Sequence, residues 1–486
     1  MRRGSGTAAA AVAAVGALLV PGVACTSGGD AEPGPSPVGG QRVLRLATAS
    51  DVSQGPVRQR LIEAWDEARP KVRVEFVKLP SSADNARSQL VAALQSDSAA
   101  YDVVNIDVTW TAEFAAGGLI RPLAEEQLDG MWEQVANTAR FDGRTWAVPF
   151  NTDAGLLYYR KDIWKDDNWR PPRTWAELER AAAETKMKSQ VEQTFPYGYV
   201  TQLDQYEGLT VNALESVWES GGELVDSGGE VRAATPQTEG GLRNLVGRYR
   251  TIMPAAAGSA DERDSLELFR DGEVAFMRNW PYVYNVLSAK GSDVRGDFGV
   301  VPLPGHDGPG ASVLGGQNLA VTAGSDNADV ARELLAYLTE PEQQRCLLDA
   351  GFAPVLEESY EPSGPACSLP AAGARRDAGS GSGGTGGGDA DGGDEPAASG
   401  TGGGEEGTAP ASEADGEGAG GGGLPPYTNA LRTALAAARH RPVTPYYAAF
   451  TELVQTEVHT SLNNGTGGGP LAAELDKGLR RVMRGG

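Results

Sequence analysis

Apolar residues recur along this chain with two periods, one near two and one near four. Val43–Ala49 (VLRLATA) is a short strand-like run, and from Val57 the stretch VRQRLIEAWDEARP puts Leu61, Ile62 and Trp65 on one helical face. Pro70 stops that helix, and Val72–Leu79 (VRVEFVKL) alternates like a strand. A helix through SQLVAALQS, a strand at Tyr101–Val108 and a helix from Thr111 to Ala116 follow. Strand, helix, strand, helix, strand predicts a parallel sheet with crossover helices. Near Trp146-Ala-Val-Pro-Phe150 the chain becomes extended and changes character. TWAELERAAAETK reads as a capped helix, with Thr174 at the N-cap and Glu177 three residues on. Strand and helix keep alternating to Met277, Phe298–Gly305 and LAVTA return to strand, and the residues after Gly423 read as helical.

The N-terminus breaks this pattern. Arg2 and Arg3 precede an apolar or small run from Thr7 to Val20, then Pro21 and Gly-Val-Ala-Cys ending at Cys25. This is the order of a secretory signal peptide, with an apolar core too short to span a bilayer. Cys25 stands where a lipoprotein signal peptidase would leave it as the first residue, although a lipobox usually has Leu where this chain has Gly22. A plain secretory signal with an incidental cysteine is the alternative. TSGGDAEPGPSPVGGQ follows, a tether of the kind that holds a domain off a membrane.

Composition adds limits. The 486 residues are enough for two domains, and nothing after Val20 approaches a transmembrane run. A net charge of −23 makes nucleic acid a poor partner. Between Asp377 and Gly423 there are 10 acidic residues, no basic ones and 20 glycines, a composition expected to be disordered. With Cys25 lipidated, Cys346 and Cys367 are the remaining pair in an oxidising compartment, which predicts a disulfide. His306, His440 and His459 have no ligand spacing, so neither a metal nor a cofactor is expected.

No catalytic motif is present: no G-x-S-x-G, P-loop or H-E-x-x-H. Aromatic residues instead lie beside hydrogen-bonding ones: Asp107 with Trp110, Asn151 with Asp153, Asn279 with Trp280 and Tyr282. Sugar C–H faces stack on rings and sugar hydroxyls need amides and carboxylates, whereas any one of these rings could also be core packing.

Five segments carry a family resemblance: TWTAEFAAGGLIRPL (Thr109–Leu123), WAVPFNTDAGLLYYRKDIW (Trp146–Trp164), QYEGL (Gln205–Leu209), VAFMRNWPYVY (Val274–Tyr284) and LGGQNLAV (Leu314–Val321). The chain resembles the sugar-binding lipoproteins of ABC importers (solute-binding family 1), nearest the trehalose/maltose-binding branch. The resemblance implies an α/β, two-lobed periplasmic-binding-protein-like fold of type II, with a ligand cleft between lobes joined by a hinge. The expected division is a signal peptide over 1–24, lipidated cysteine and tether over 25–41, and an acidic insert over 361–424. Lobe 1 would take 42–149 plus 298–355, lobe 2 would take 150–297 plus 425–486, and the first crossing would fall at Phe150-Asn151. On the family's motifs, Asp153, Trp280 and Tyr282 line the sugar site and Asn151 faces the cleft. Asp51, Asp97 and Glu262 match with looser spacing, and Arg441 fits a late arginine that meets sugar hydroxyls. Gly315-Gly316-Gln317 stands where that branch has Gly-Gly-Trp, so an amide, Gln317, replaces a stacking ring.

The expected function is a non-enzymatic receptor: a lipid-anchored monomer on the outer face of the cell membrane that passes an oligosaccharide, a disaccharide of the trehalose/maltose kind, to an ABC permease. Cleft closure would follow from ligand contacts on both lobes. The competing readings are a secreted carbohydrate-active enzyme and a sugar chemoreceptor partner.

Overall fold

A computed structural model describes residues 40–49, 56–96, 100–164, 169–192, 197–369 and 423–485, without the side chains of 186–192. Cys25, Asp51, Asp97 and most of the acidic stretch lie outside the described residues. Everything below concerns the unit from Gln41 onward.

Two sheets organise the chain. The first contains β1 (Arg42–Thr48), β2 (Val72–Lys78), β3 (Val103–Asp107), β6 (Val148–Ala154) and β11 (Leu314–Val321), in the order β2-β1-β3-β11-β6. The second contains β7 (Leu156–Arg160), β8 (Tyr197–Val200), β9 (Val274–Asn279) and β10 (Phe298–Pro302), in the order β10-β7-β9-β8. A small hairpin, β4 (Arg140–Phe141) with β5 (Arg144–Thr145), stands apart. Helices α1 (Val57–Glu67), α2 (Ala83–Gln95), α3 (Thr111–Ala116) and α4 (Glu133–Asn137) accompany the first sheet. Helices α5 (Trp175–Glu192), α6 (Glu207–Glu219), α7 (Pro236–Thr251), α8 (Glu262–Arg270) and α9 (Val283–Ser288) accompany the second. The chain then returns to the first sheet with α10 (Ala328–Leu338) and α11 (Pro341–Asp349), and ends in α12 (Thr428–Ala436), α13 (Tyr447–Asn464) and α14 (Gly469–Val482).

Local chemistry explains these elements. Val57, Leu61, Ile62 and Trp65 form the buried stripe of α1, and β3 is buried from Val103 to Ile106, Asn105 included, because both its faces are covered. Thr174 and Glu177 do form a reciprocal cap: the Glu177 amide donates to Thr174 Oγ1 at 3.2 Å, and the Thr174 amide donates to Glu177 Oε2 at 3.3 Å. Asp261 and Asp264 make a second such box at α8, and Gly465 closes α13 in the left-handed region at φ 69°.

β1 runs parallel to β2 and β3, as the strand-helix alternation predicts, while β11 is antiparallel to both β3 and β6, because it enters from the other lobe instead of through a crossover helix. The structure corrects two expectations. The first crossing lies at Gly155, not at Phe150-Asn151, since β6 stays in the first sheet as far as Ala154. Phe298–Pro302, expected in lobe 1, pairs with β7 in the second sheet, so the chain recrosses between Leu303 and Val313. A third pass near Arg439 is bridged to Val313. Cys346 of α11 is disulfide-bonded to Cys367, with Cα atoms 4.7 Å apart.

Candidate functional site

The ends of β3, β11 and β6 place three polar residues in one row. Asp107, Gln317 and Asn151 are register partners across these strands, so their side chains share a face. The register slips between Gln317 and Asn318, and Gly316 has φ 117° with no room for a Cβ, which would meet the Asn151 carbonyl at 2.4 Å. Gln317 does not project freely: its Oε1 accepts from Asn105 Nδ2 at 2.8 Å and from the buried Arg58 guanidinium.

One end of this row meets the second lobe at Trp280. Gly315 is the close approach, since a Cβ there would lie 3.3 Å from both Trp280 Cζ3 and Asp153 Cβ. The β9 strand ends at Asn279, whose Oδ1 accepts from the Trp280 amide at 2.8 Å, while Tyr158 Oη donates to the Trp280 carbonyl at 2.8 Å. The indole Nε1 donates to Glu262 Oε1 at 3.2 Å, and Tyr206 Oη donates to Glu262 Oε2 at 2.8 Å. Asp153, Trp280 and Glu262 therefore stand together, with Tyr206 behind, and Asn151 Nδ2 reaches Asp153 Oδ2 at 3.4 Å. Burial pushes the Asp153 carboxyl up to about 7, against the opposing pull of the Arg58 and Arg278 guanidiniums. Burial, with Glu262, Asp261 and Asp153 nearby, likewise raises the Tyr282 phenol.

The other end of the row meets the second lobe through Arg441. Its Nη2 donates to Asp107 Oδ1 at 2.9 Å and its Nη1 to Glu207 Oε1 at 2.7 Å, so one guanidinium joins β3 to α6. Glu207 also accepts from Thr451 at 2.7 Å and from the Tyr447 hydroxyl. Burial raises the Glu207 carboxyl, with Arg441 opposing. Burial works against the Arg441 charge, but Asp107, Tyr447 and Glu207 outweigh it and hold the guanidinium above its ordinary value. Beside this cluster is a pocket of about 250 Å³ whose walls come from both lobes: Asp84, Arg87 and Trp110 on one side, Tyr447, Thr451 and Gln455 on the other.

The expected residues thus form two groups on one interlobe face. Asn151, Asp153, Glu262, Trp280 and Gly316 with Gln317 adjoin one another, Tyr282 lies next to them, and Arg441 belongs to the second group. Arg58, Asn105, Tyr206, Glu207, Tyr447 and Thr451 were not expected there. Tyr206 and Glu207 lie within QYEGL, one of the five segments that carry the family resemblance. Arg58 gives no signal, because a charged helix position is buried only by what packs on it. Among the described residues, Asn105 Oδ1, Asn151 Oδ1 and Arg441 Nε are buried with no hydrogen-bond partner. No group of described residues could hold a metal ion, and no described helix is long and apolar enough to cross a membrane.

Comparison with known proteins agrees with this geometry. Residues 49–345 match the family model of bacterial extracellular solute-binding proteins. A probable ABC transporter-binding protein of Deinococcus radiodurans is 33% identical over 62% of this chain and 72% of its own length. A maltotriose-binding protein of Pyrococcus abyssi is 28% identical over 62% of this chain and 64% of its own. A maltose-bound structure from T. maritima superposes with a TM-score of 0.72 at 26% identity, covering 90% of this chain and 99% of its own. With a two-lobed α/β fold, a polar and aromatic interlobe face and a family match across more than half its length, the chain belongs to the bacterial extracellular solute-binding proteins.

Proposed function

We propose that this protein captures an oligosaccharide outside the cell and delivers it to an ABC permease. The observation that carries the reading is the meeting of Trp280 from lobe 2 with Asp153 and Gly315 from lobe 1. A ring face and a carboxylate there match the two halves of a sugar's surface, its C–H patches and its hydroxyls. The buried, unpartnered oxygens of Asn105 and Asn151 and the Arg441 Nε–H add acceptors and a donor suited to hydroxyl groups. The relatives named above for maltotriose and maltose favour a glucose-based di- or trisaccharide. The amide of Gln317, engaged by Asn105 and Arg58, replaces a ring and alters one subsite. The arrangement calls for no chemistry: the receptor returns its ligand unaltered. Residues 1–24 act as a signal peptide and Cys25 as the lipid attachment that keeps the monomer on the outer face of the membrane. By the family resemblance, Asp51 and Asp97 are further candidate sugar contacts.

Thermal-shift screening of the full chain against maltose, maltotriose and trehalose, followed by calorimetry, tests this reading. A true ligand at a hundred times its Kd raises stability by about 2.7 kcal/mol. Trp280→Ala is expected to weaken the sugar found by about thirtyfold, the scale of a binding hot spot, with circular dichroism unchanged. Unchanged affinity would make this ring core packing and move the ligand elsewhere.

A further inference from the structure

The crossings between the lobes hang from one buried ion pair. Arg278 on β9 and Glu215 on α6 are 1% and 5% exposed, and the guanidinium grips the carboxylate with Nη2–Oε1 at 2.7 Å and Nε–Oε2 at 3.1 Å. Such a pair is tolerated in a protein interior only when its remaining donors and acceptors are met. Here Gln202 Oε1 accepts from Arg278 Nη1 at 3.4 Å, and the hinge meets the carboxylate. Glu215 Oε1 accepts from the Val313 amide at 3.0 Å and lies 3.3 Å from the Ser312 hydroxyl, both on the second crossing. Ser312 Oγ in turn accepts from the Gly155 amide at 2.5 Å, which is the first crossing. The Ser312 carbonyl accepts from the Arg439 amide at 2.8 Å, which is the third. Gly155 also lies flat on the guanidinium, where a Cβ would be 2.7 Å from Arg278 Nη2.

The same guanidinium faces the interlobe site. Arg278 Cζ is 3.9 Å from the centroid of the Trp280 ring, close enough for cation–π attraction. Gly155 follows Asp153 by two residues on the same strand path. One side chain is therefore in contact with the ring that meets the other lobe, and through Glu215 and Ser312 with all three crossings.

We propose that Arg278 and Glu215 are positioning residues that couple the Trp280 ring to the hinge, so that the setting of the ring biases the lobes between open and closed. The pair transmits rather than binds. The functional importance of this coupling rests on the reading of Trp280 as a ligand residue, but its test does not need a ligand.

The test is a double-mutant cycle on the full chain without sugar. Spin labels attached through keto-bearing residues at the exposed helix positions Glu63 in α1 and Gln237 in α7 leave the native disulfide intact and report the interlobe distance by pulsed EPR. Trp280→Ala should shift the closed-to-open ratio about fivefold in the parent chain, and by less than about twofold when Ser312 is also alanine. Glu215→Gln supplies the second arm of the cycle if Ser312→Ala does not fold, as judged by thermal melting. Equal shifts in both backgrounds, or no shift in either, overturn the proposal. Calorimetry on Trp280→Ala separates the two readings by size: a loss near thirtyfold exceeds the about fivefold that a shifted lobe equilibrium can produce, whereas a loss of fivefold or less means the ring makes no sugar contact.

Discussion

Asp153 adjoins the Trp280 ring across Gly315, and burial raises its proton affinity against the pull of Arg58 and Arg278. Because its carboxyl is raised from the ordinary 3.8 to about 7, the folded protein keeps a proton that the unfolded chain has released between those values. Stability from this group is therefore present at acid pH and is lost as pH rises through that window, damped by its partial contact with solvent. Asp153→Asn removes the dependence. Thermal melts from pH 5 to pH 8 should show wild type losing a few degrees relative to the asparagine variant, and curves that stay parallel would refute the raised proton affinity. The pairing of polar groups with rings pointed to Asn151, Asp153 and Trp280, the resemblance alone supplied Arg441, and the structure brings all four to the interlobe face. The partners Arg58, Asn105 and Glu207 were not legible, because they become site residues only when distant segments pack against them.

At the scale of elements, helix boundaries followed from local rules, while strand partners did not. The Thr174–Glu177 box and the apolar stripe of α1 are local signals that the structure obeys. The placement of β10 in the second sheet depends on pairing with β7, more than a hundred residues earlier, which its own apolar pattern does not encode. The disulfide acts at this level. Cys346 and Cys367 are 21 residues apart, and closing a loop of that length stabilises by about 3 kcal/mol in the chain-entropy account. It ties Cys346 of the buried α11 to the segment that leads into the acidic stretch. Cys346→Ala with Cys367→Ala should lower the unfolding free energy by about that amount in denaturant titration, with sugar affinity kept. An unchanged midpoint would show that the cross-link restrains nothing in the unfolded chain.

For the whole molecule, the composition of the acidic stretch predicts that it is dispensable for binding. Both described flanks of that stretch come back to α11: Cys367 is bonded to Cys346, and the Gly423 carbonyl accepts from Arg345 Nη2 at 3.2 Å. Neighbouring attachment points mean that a short linker can replace the residues between them without straining either lobe. Deleting residues 377–422 is accordingly expected to leave sugar affinity within about threefold by calorimetry, because its composition cannot form a packed wall of the cleft. A loss of tenfold or more would place that segment in the binding site.

The sequence by itself determined the class of this protein: α/β alternation, helix caps and a scatter of ring-plus-polar motifs are all written locally in period and residue type. It could not determine where the chain passes between lobes, because a crossing is set by which strands find hydrogen-bond partners, and those partners are far apart in sequence. Gly155 shows the difference. As a residue it is one of 65 glycines, and only in the folded chain does the guanidinium of Arg278 fill the space its side chain would need. The tertiary structure likewise decided that Asp107, Arg441 and Glu207 form one interlobe ion cluster, since three charges become a single site only when burial removes the water that would otherwise separate them.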